Sequence, residues 1–239
     1  MAVIIPCLDE EEAISPLLAE IIAQGLTNII VVDGGSRDAT VARAKSAGAI
    51  VVTQPVKGYG RACASGIAAA ASEADYFLFL DGDGSDNPEY IPEILGPLLN
   101  GQADFVMGSR MFGAREAGSL NVQQIVAGRL AGWLMRGLYG VRFTDMSPFR
   151  ALSRATLAQL SMQDMTFGWN LEMQMQVAAL NLNITEVAVG CRKRRGGLSK
   201  VSGNFKAGLK AAVTIVITFL KLAWVLRSSS WRLRKKATR

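Results

Sequence analysis

The chain carries the stretch YFLFLDGDGSDNPE at residues 76–89. Its apolar first part, residues 76–80, predicts a buried strand, and the acidic turn of Asp81, Gly82 and Asp83 follows directly. Two carboxylates two residues apart can face one cation if the intervening glycine lets the backbone bend tightly. Mg²⁺ takes one or two protein carboxylates and completes its coordination with water and substrate phosphates. The stretch therefore predicts a Mg²⁺ or Mn²⁺ site at the end of a strand.

The same turn has a structural interpretation. Acidic turns are common, and this one could cap a helix that begins at Asp86, Asn87 and Pro88. The metal interpretation is favoured because the turn follows the fourth strand of an alternating series.

Strand and helix patterns alternate on both sides of this stretch. Strands are predicted at residues 3–5, 29–32, 50–53, 76–80, 105–107 and 184–189, and helices at 10–24, 38–47, 60–71, 125–138 and 167–180. This alternation is typical of an α/β fold with a Rossmann-like, mostly parallel sheet flanked by helices. Ligands of such sheets bind beyond the carboxyl ends of the strands, so the loops after Ile5, Val32, Thr53 and Leu80 should form the site.

Residue usage excludes several chemistries. The 239 residues include no histidine, which removes Ser-His and Cys-His mechanisms and leaves oxygen atoms as the expected metal ligands. Cys7, Cys63 and Cys191 are far apart, so we expect neither a disulfide framework nor a zinc site, and a reducing compartment. The apolar start MAVIIP lacks a basic region, so no secretory signal is expected.

Charge divides the chain sharply. Residues 1–186 carry 12 basic and 20 acidic side chains, whereas residues 187–239 carry 14 basic and no acidic ones. Such asymmetry predicts an anionic partner: nucleic acid, anionic lipid or a phosphorylated substrate. Four cations at 192–195 precede a glycine pair, Ser199 and Lys200, a composition suited to binding phosphate. Nucleic acid is disfavoured because no aromatic residues for base stacking lie between the cations.

The last segment, residues 204–239, predicts a helix with a basic tail. A narrow polar stripe is formed by Lys206, Lys210, Thr214, Thr218 and Lys221. The apolar stretch is short for a membrane span, and Trp224, Trp231 and terminal cations flank its end. These features favour an amphipathic helix lying on an anionic membrane, appended to a domain at residues 1–203. The alternative is an ordinary helix of the core.

An ordered series of motifs resembles the family 2 glycosyltransferases, most closely the dolichol-phosphate mannosyltransferase type. The series is VIIPCLDEEEAI, VVDGGSRDAT, GYGRACASGI, LDGDGSDNPE, VMGSR, FTDMSPFRAL and RRGGLSKVSG, within residues 3–203. The resemblance implies a GT-A fold, a nucleotide-diphosphate sugar donor such as a GDP- or UDP-sugar, a divalent metal, and inversion at the anomeric carbon.

The resemblance also implies site residues by position. The nucleoside would contact Pro6, Leu8, Asp9, Glu10 and Asp33, and the metal would bind Asp81 and Asp83. Arg110 matches a residue near the sugar or acceptor phosphate, and Arg194, Ser199 and Lys200 match a phosphate-gripping motif. Three positions depart from the usual pattern: Asp9 replaces a common asparagine, Gly34 a frequent second aspartate, and Ser85 a glutamine that reaches the metal.

The acceptor decides which catalytic group is needed. A hydroxyl acceptor needs a general base, for which Asp145 and Glu172 are the candidates. Asp145 could instead hold the Phe149-Arg150 turn, and Glu172 could pair with an arginine. A lipid monophosphate is already largely ionised at neutral pH and needs no base. Together with the basic tail, this favours a polyprenyl phosphate acceptor at the cytoplasmic face of a membrane.

Three other functions remain open from the sequence. The acceptor could be a soluble or lipid hydroxyl. A sugar-phosphate nucleotidyltransferase should carry a glycine-rich basic loop after its first strand, where this chain has Pro6 and acids. A non-enzymatic membrane adaptor could use the same basic tail, and metal-dependent nucleotide binding would exclude it.

Overall fold

A computed structural model describes residues 1–70, 74–196 and 216–224. Its seven strands form one sheet, and they are β1 (Ala2–Cys7), β2 (Ile29–Asp33), β3 (Ile50–Thr53), β4 (Tyr76–Phe79), β5 (Phe105–Ser109), β6 (Arg150–Ser153) and β7 (Ile184–Ala188). The order across the sheet is β3-β2-β1-β4-β6-β5-β7. Every pairing is parallel except those of β6, which runs antiparallel to both β4 and β5. The predicted α/β class with a mostly parallel sheet is confirmed.

Helices cover both faces of the sheet. They are α1 (Glu11–Ala23), α2 (Thr40–Ser46), α3 (Tyr59–Ala69), α4 (Ile91–Leu99), α5 (Val122–Tyr139), α6 (Arg154–Gln159), α7 (Trp169–Ala179) and α8 (216–224), with a 3₁₀ turn at Pro88–Tyr90. Alternate residues of β1 point into two apolar cores: Ile4 lies in the core to which α3, α5 and α7 contribute, whereas Ile5 lies in the core to which α1 and α4 contribute. Burial on both faces explains why the parallel strands are continuous apolar runs.

The antiparallel strand β6 was not predicted from the sequence. It begins with Arg150, whose side chain is 1% exposed and donates to the backbone carbonyl groups of Pro148, Asn170 and Ser147. Its guanidinium also lies 6.0 Å from the centre of the Phe105 ring. A charged residue at the start of a short strand hides the apolar pattern, although its hydrogen bonds make its burial possible.

The C-terminal segment contributes to the core where it is described. In α8, Phe219 and Ala223 are buried in the same apolar core as Ala131 and Met135 of α5. This part of the segment is thus packed on the domain rather than separate from it. No helix within the described residues has the length and apolarity needed to cross a membrane. Several predicted positions lie outside the described residues, namely Ser199, Lys200, Lys206, Lys210, Thr214, Trp231 and the terminal cations.

Candidate active site

A cavity of about 860 Å³ lies at the carboxyl ends of β1 and β4. Most of the predicted site residues that the structure describes line it, and these are Pro6, Leu8, Glu10, Asp81, Asp83, Ser85, Arg110 and Arg194. Lys193, from the predicted basic run, also lines it, and lining residues that were not singled out from the sequence are Lys57, Tyr59, Asn121, Gln124 and Phe167. The chain therefore brings residues from at least five loops together where the strand-end rule predicts a ligand site.

The predicted metal pair occupies one wall of this cavity. Asp81 Oδ1 is buried without a hydrogen bond of ordinary geometry from the described residues, and the nearby Tyr59 hydroxyl favours its charged form. Burial, together with the charges of Asp83 and Asp86, raises the pKa of Asp81 to about 8. Such a carboxylate favours either a proton or a nearby cation. This buried oxygen and the neighbouring carboxylate of Asp83 are hard ligands of the kind that Mg²⁺ or Mn²⁺ prefers.

Asp86 supports the turn that carries the pair. Its side chain is 2% exposed, and its Oδ2 accepts a hydrogen bond from the backbone N–H of Asp81 at 3.1 Å. Burial raises the pKa of Asp86 to about 7. Helix capping at this point belongs instead to Asn87, whose side chain accepts from the N–H of Glu89. The residue that caps the following helix is therefore Asn87, and neither Asp81 nor Asp83 has this role.

The two glycines of the turn have different tasks. Gly84 has a φ of +73°, a left-handed conformation that favours glycine. Gly82 was expected to provide the tight bend, but its conformation is not left-handed. A Cβ atom at Gly82 would lie 2.2 Å from the sulfur of Cys7. Gly82 is therefore needed because β1 passes close to the turn.

Arg194 links the pair to the N-terminal loop. Its Nη1 donates to Asp83 Oδ2 at 2.7 Å, and its Nη2 donates to Glu10 Oε1 at 2.6 Å. Within the basic run, Arg192 and Arg195 both pair with Glu20 of α1, away from the cavity. The run thus directs Lys193 and Arg194 to the cavity and uses the other two arginines to hold the loop on α1.

Asp145, a predicted general base, forms a buried ion pair with Arg110. Its two oxygens accept from Arg110 Nε at 2.7 Å and Nη2 at 2.8 Å, and also from the backbone N–H groups of Arg110 and Met146. Burial opposes its charge, but the hydrogen bonds and charge of Arg110 outweigh burial and lower the pKa of Asp145. A carboxylate that accepts four hydrogen bonds and has a lowered pKa is a poor base. The ion pair instead positions Arg110 in the cavity wall.

Glu172, the other predicted base, lies outside the cavity lining. It is 2% exposed, and its oxygens accept from the backbone N–H groups of Gln163 and Asp164 at 2.8–3.0 Å and from Gln176 Nε2 at 3.2 Å. Its partners are amides rather than the arginine that the alternative interpretation suggested. Glu172 instead holds the loop before α7, which carries Phe167 to the cavity rim.

The predicted nucleoside residues differ in their positions. Pro6, Leu8 and Glu10 line the cavity, whereas Asp33 is 3% exposed and accepts from the N–H groups of Gly35 and Ser36. Asp9 is exposed, and its Oδ1 accepts from the N–H of Arg37 at 2.8 Å. Asp33 and Asp9 therefore shape the loop after β2.

Tyr59 was missed in the sequence, although it opens the helix after a strand end. Burial and the charge of Asp81 raise its pKa well above the ordinary value. The glycines on either side allow a close approach of the loop before α7. A Cβ at Gly58 would lie 2.2 Å from the carbonyl oxygen of Met165, and one at Gly60 would lie 2.3 Å from that of Asp164. Lys57 reaches the same cavity. The motif GYGRACASGI was noted in the sequence without a role for Tyr59, and its position after a strand end is the signal that could have identified this wall.

The mostly parallel α/β fold, with its cavity at the strand ends, matches the GT-A fold of solved glycosyltransferase structures. The sequence matches the family model "Glycosyl transferase family 2" over residues 2–159. The chain belongs to this family of glycosyltransferases.

Individual relatives agree with this assignment. An uncharacterized glycosyltransferase of Mycobacterium tuberculosis is 32% identical over 224 residues, which cover 93% of this chain and 97% of the relative. A dolichyl-phosphate hexose transferase of Haloferax volcanii is 34% identical, covering 82% of this chain and 84% of the relative. The crystal structure of glucosyl-3-phosphoglycerate synthase from M. tuberculosis, in complex with Mn²⁺, UDP-glucose and phosphoglyceric acid, superimposes with a TM-score of 0.72. It is 25% identical and covers 93% of this chain and 79% of that chain.

Proposed function

We propose that this enzyme transfers a hexosyl group, with inversion, from a nucleotide-diphosphate sugar to a lipid monophosphate at the cytoplasmic face of a membrane. Asp81 and Asp83 would hold Mg²⁺ or Mn²⁺ beside the donor diphosphate. Family membership supports the donor class, and the Mn²⁺ and UDP-glucose bound by the mycobacterial synthase support this pairing of metal and donor.

The charges around the cavity suit departure of a nucleoside diphosphate. A bound divalent cation would offset the negative charge that develops on the leaving diphosphate. Arg194 already contacts Asp83 and is within reach of that charge. Pro6 and Leu8 line the adjacent part of the cavity, where a nucleoside would be held against apolar surface.

The observation that carries the acceptor proposal is how the cavity's carboxylates are used. Among the described lining residues, the carboxylates are Glu10, Asp81 and Asp83, of which Glu10 and Asp83 pair with Arg194 and Asp81 belongs to the metal pair. Asp145 is held by Arg110 behind the wall. A hydroxyl acceptor would require a base from this set, whereas a phosphate arrives with its own negative charge. Cationic side chains from Lys57, Arg110 and Lys193 face the same space.

The cavity rim favours a lipid over a small soluble acceptor. Phe167, at the rim, is 69% exposed, and Val56, beside Lys57, is 55% exposed. Apolar side chains next to a basic cavity suit a molecule with a phosphate head and an apolar chain. The dolichyl-phosphate hexose transferase among the relatives is consistent with this class. A soluble phosphorylated acceptor is the second candidate, because the mycobacterial synthase was crystallised with phosphoglyceric acid.

The experiment is a comparison of three acceptors. The full-length enzyme is incubated with Mn²⁺ and a panel of labelled UDP- and GDP-sugars, together with polyprenyl phosphate, the matching polyprenol or 3-phosphoglycerate. We expect label to enter the lipid phase with the phosphate and not with the alcohol. Transfer to the polyprenol at a comparable rate would refute the phosphate acceptor, and transfer to 3-phosphoglycerate alone would replace the lipid with a soluble substrate.

A further inference from the structure

One surface of the protein exposes apolar and basic side chains along a helix. The exposed positions of α5 follow a single stripe that includes Val122, Val126, Arg129, Trp133 and Arg136. Val122 is 75% exposed and Trp133 is 73% exposed. Large apolar side chains exposed together on one stripe indicate a contact surface.

The adjacent helix α8 extends this surface. Because Phe219 and Ala223 pack into the core, Ile217, Leu220 and Trp224 point outward, and Trp224 is 74% exposed. A groove of about 510 Å³ lies between the two helices, lined among others by Trp133, Arg136 and Phe219. We call the exposed stripes of α5 and α8, with this groove, the two-helix face.

The two-helix face borders the mouth of the active-site cavity at two points. Asn121, the N-cap of α5, and Gln124, in its first turn, line the cavity, and the exposed Val122 lies between them in sequence. On the other side, Phe167 lines the cavity, and the next residue, Gly168, lies against α8: a Cβ placed there would be 3.1 Å from Thr218 Cγ2. A molecule seated on the face would therefore reach the cavity mouth.

The charge of the face identifies its partner. Residues 117–144 contain no acidic residue, and Arg129, Arg136 and Arg142 are exposed there. Lys221 is exposed on α8. Indole rings with nearby cations are typical of a surface at the headgroup level of an anionic bilayer. A symmetric dimer through this face would place like charges against each other, which disfavours a second copy.

We propose that the two-helix face docks on an anionic membrane and so opens the cavity toward lipid headgroups. The identity of the acceptor in this inference rests on the proposed function, whereas the docking on the membrane does not. It locates membrane contact on the folded domain, in addition to any contribution from the terminal cations. The phosphate of a lipid acceptor would enter past Val122 and Phe167 while its apolar chain stays with the bilayer.

Point substitutions in the full-length chain test this better than truncation, because removing α8 would uncover the core around Phe219. Binding is measured by co-sedimentation with vesicles of phosphatidylcholine alone or mixed with phosphatidylglycerol at 7:3. The variants are R129Q/R136Q and W133S/L220S. The matched control is I50S/L99S, which removes two apolar side chains that are 56% and 55% exposed elsewhere.

We expect the arginine variant to bind the anionic vesicles about 30-fold more weakly, at roughly fivefold for each cation lost near the surface. The apolar variant should bind more weakly to both vesicle types, and the control should bind like the wild type. Equal binding by all four proteins would overturn the proposal. So would concentration-dependent self-association that W133S/L220S abolishes while vesicle binding persists, because the face would then join two copies.

Activity separates the two proposals. With a short-chain, water-soluble isoprenyl phosphate, the face variants should transfer sugar like the wild type, whereas with long-chain polyprenyl phosphate in vesicles they should lose activity in proportion to binding. If neither acceptor is used but vesicle binding still depends on the face, docking stands and the proposed function fails. If both acceptors are used and face variants work normally in vesicles, the function stands and docking fails.

Discussion

Replacing Asp145 with asparagine tests whether this residue positions Arg110 or acts as a base. The substitution keeps the size of the side chain but removes the negative charge from a pair in which the aspartate side chain is 3% exposed and the arginine 12%. Breaking one partner of such a buried pair costs about 3–5 kcal/mol, because the remaining charge is left uncompensated. The asparagine oxygen can still accept one bond, which favours the lower end of that range.

For a domain of this size each kcal/mol shifts Tm by about 2–4 °C, so D145N should melt roughly 6–12 °C below the wild type. The control is D104N, since Asp104 makes a single exposed backbone hydrogen bond and should cost under about 1 kcal/mol. Because the pKa of Asp145 is lowered in the folded protein, the pair stabilises the fold above a pH of about 4. That stabilisation is lost as the pH falls further, so the difference between wild type and variant should shrink there.

Thermal melts and transfer kinetics are measured on the same preparations. At temperatures where D145N is folded, we expect measurable turnover and a pH–rate profile with the wild-type shape. An unchanged Tm, combined with loss of turnover and of the acidic limb of the profile, would show that Asp145 is a base and refute this reasoning.

Three further substitutions address the site. R194Q removes a cation that competes for Asp83, so it should raise the affinity for Mn²⁺ in the absence of nucleotide and weaken the binding of UDP in the presence of Mn²⁺. A paramagnetic titration that shows weaker Mn²⁺ binding would contradict this. D33N should lower both Tm and donor affinity by loosening the turn at Gly35 and Ser36; calorimetry showing neither change would exclude that role. E172Q should lower the free energy of unfolding by about 1–3 kcal/mol, measured with urea, because it weakens two hydrogen bonds from backbone amides. The pH–rate profile should be unaltered, and an altered profile would mean that Glu172 acts as a base.

The fold was largely predictable because most of its strands and helices are recognisable from short, continuous stretches of sequence. Continuous apolar runs at β1, β2 and β4, each followed by a helical pattern, specify parallel strands buried on both faces. Strand β6 could not be found this way. Arg150 is satisfied by the carbonyl groups of Ser147, Pro148 and Asn170, and the last of these is 20 residues away and reaches Arg150 only in the folded chain.

The candidate site was predictable where strand ends define it. Asp81, Asp83 and Glu10 follow strands directly and meet in one cavity. The roles of Asp145 and Glu172 were not predictable, because a carboxylate in sequence does not reveal its partner. Asp145 meets Arg110 across 35 residues, and Glu172 meets backbone amides of a loop.

Contacts between residues far apart in sequence also determine the role of Gly82 and the packing of the C-terminal helix. The sequence suggested a conformational role for Gly82, whereas the approach of Cys7 is what excludes a side chain there. The apolar positions of 204–239 suggested a helix on a membrane, and the described part shares its apolar residues between the core and the surface. Periodicity alone cannot divide apolar residues between those two environments.

Under the proposed function, the acceptor supplies its own negative charge and the enzyme supplies no base. The most direct measurement is the pH dependence of kcat/KM with two lipid acceptors, a phosphate and a phosphonate whose second pKa is higher. The phosphate profile should rise with ionisation of the acceptor, near pH 6, and the phosphonate profile should be displaced to higher pH by the difference between the two pKa values. Superimposable profiles for the two acceptors would contradict the claim, because the titrating group would then belong to the enzyme.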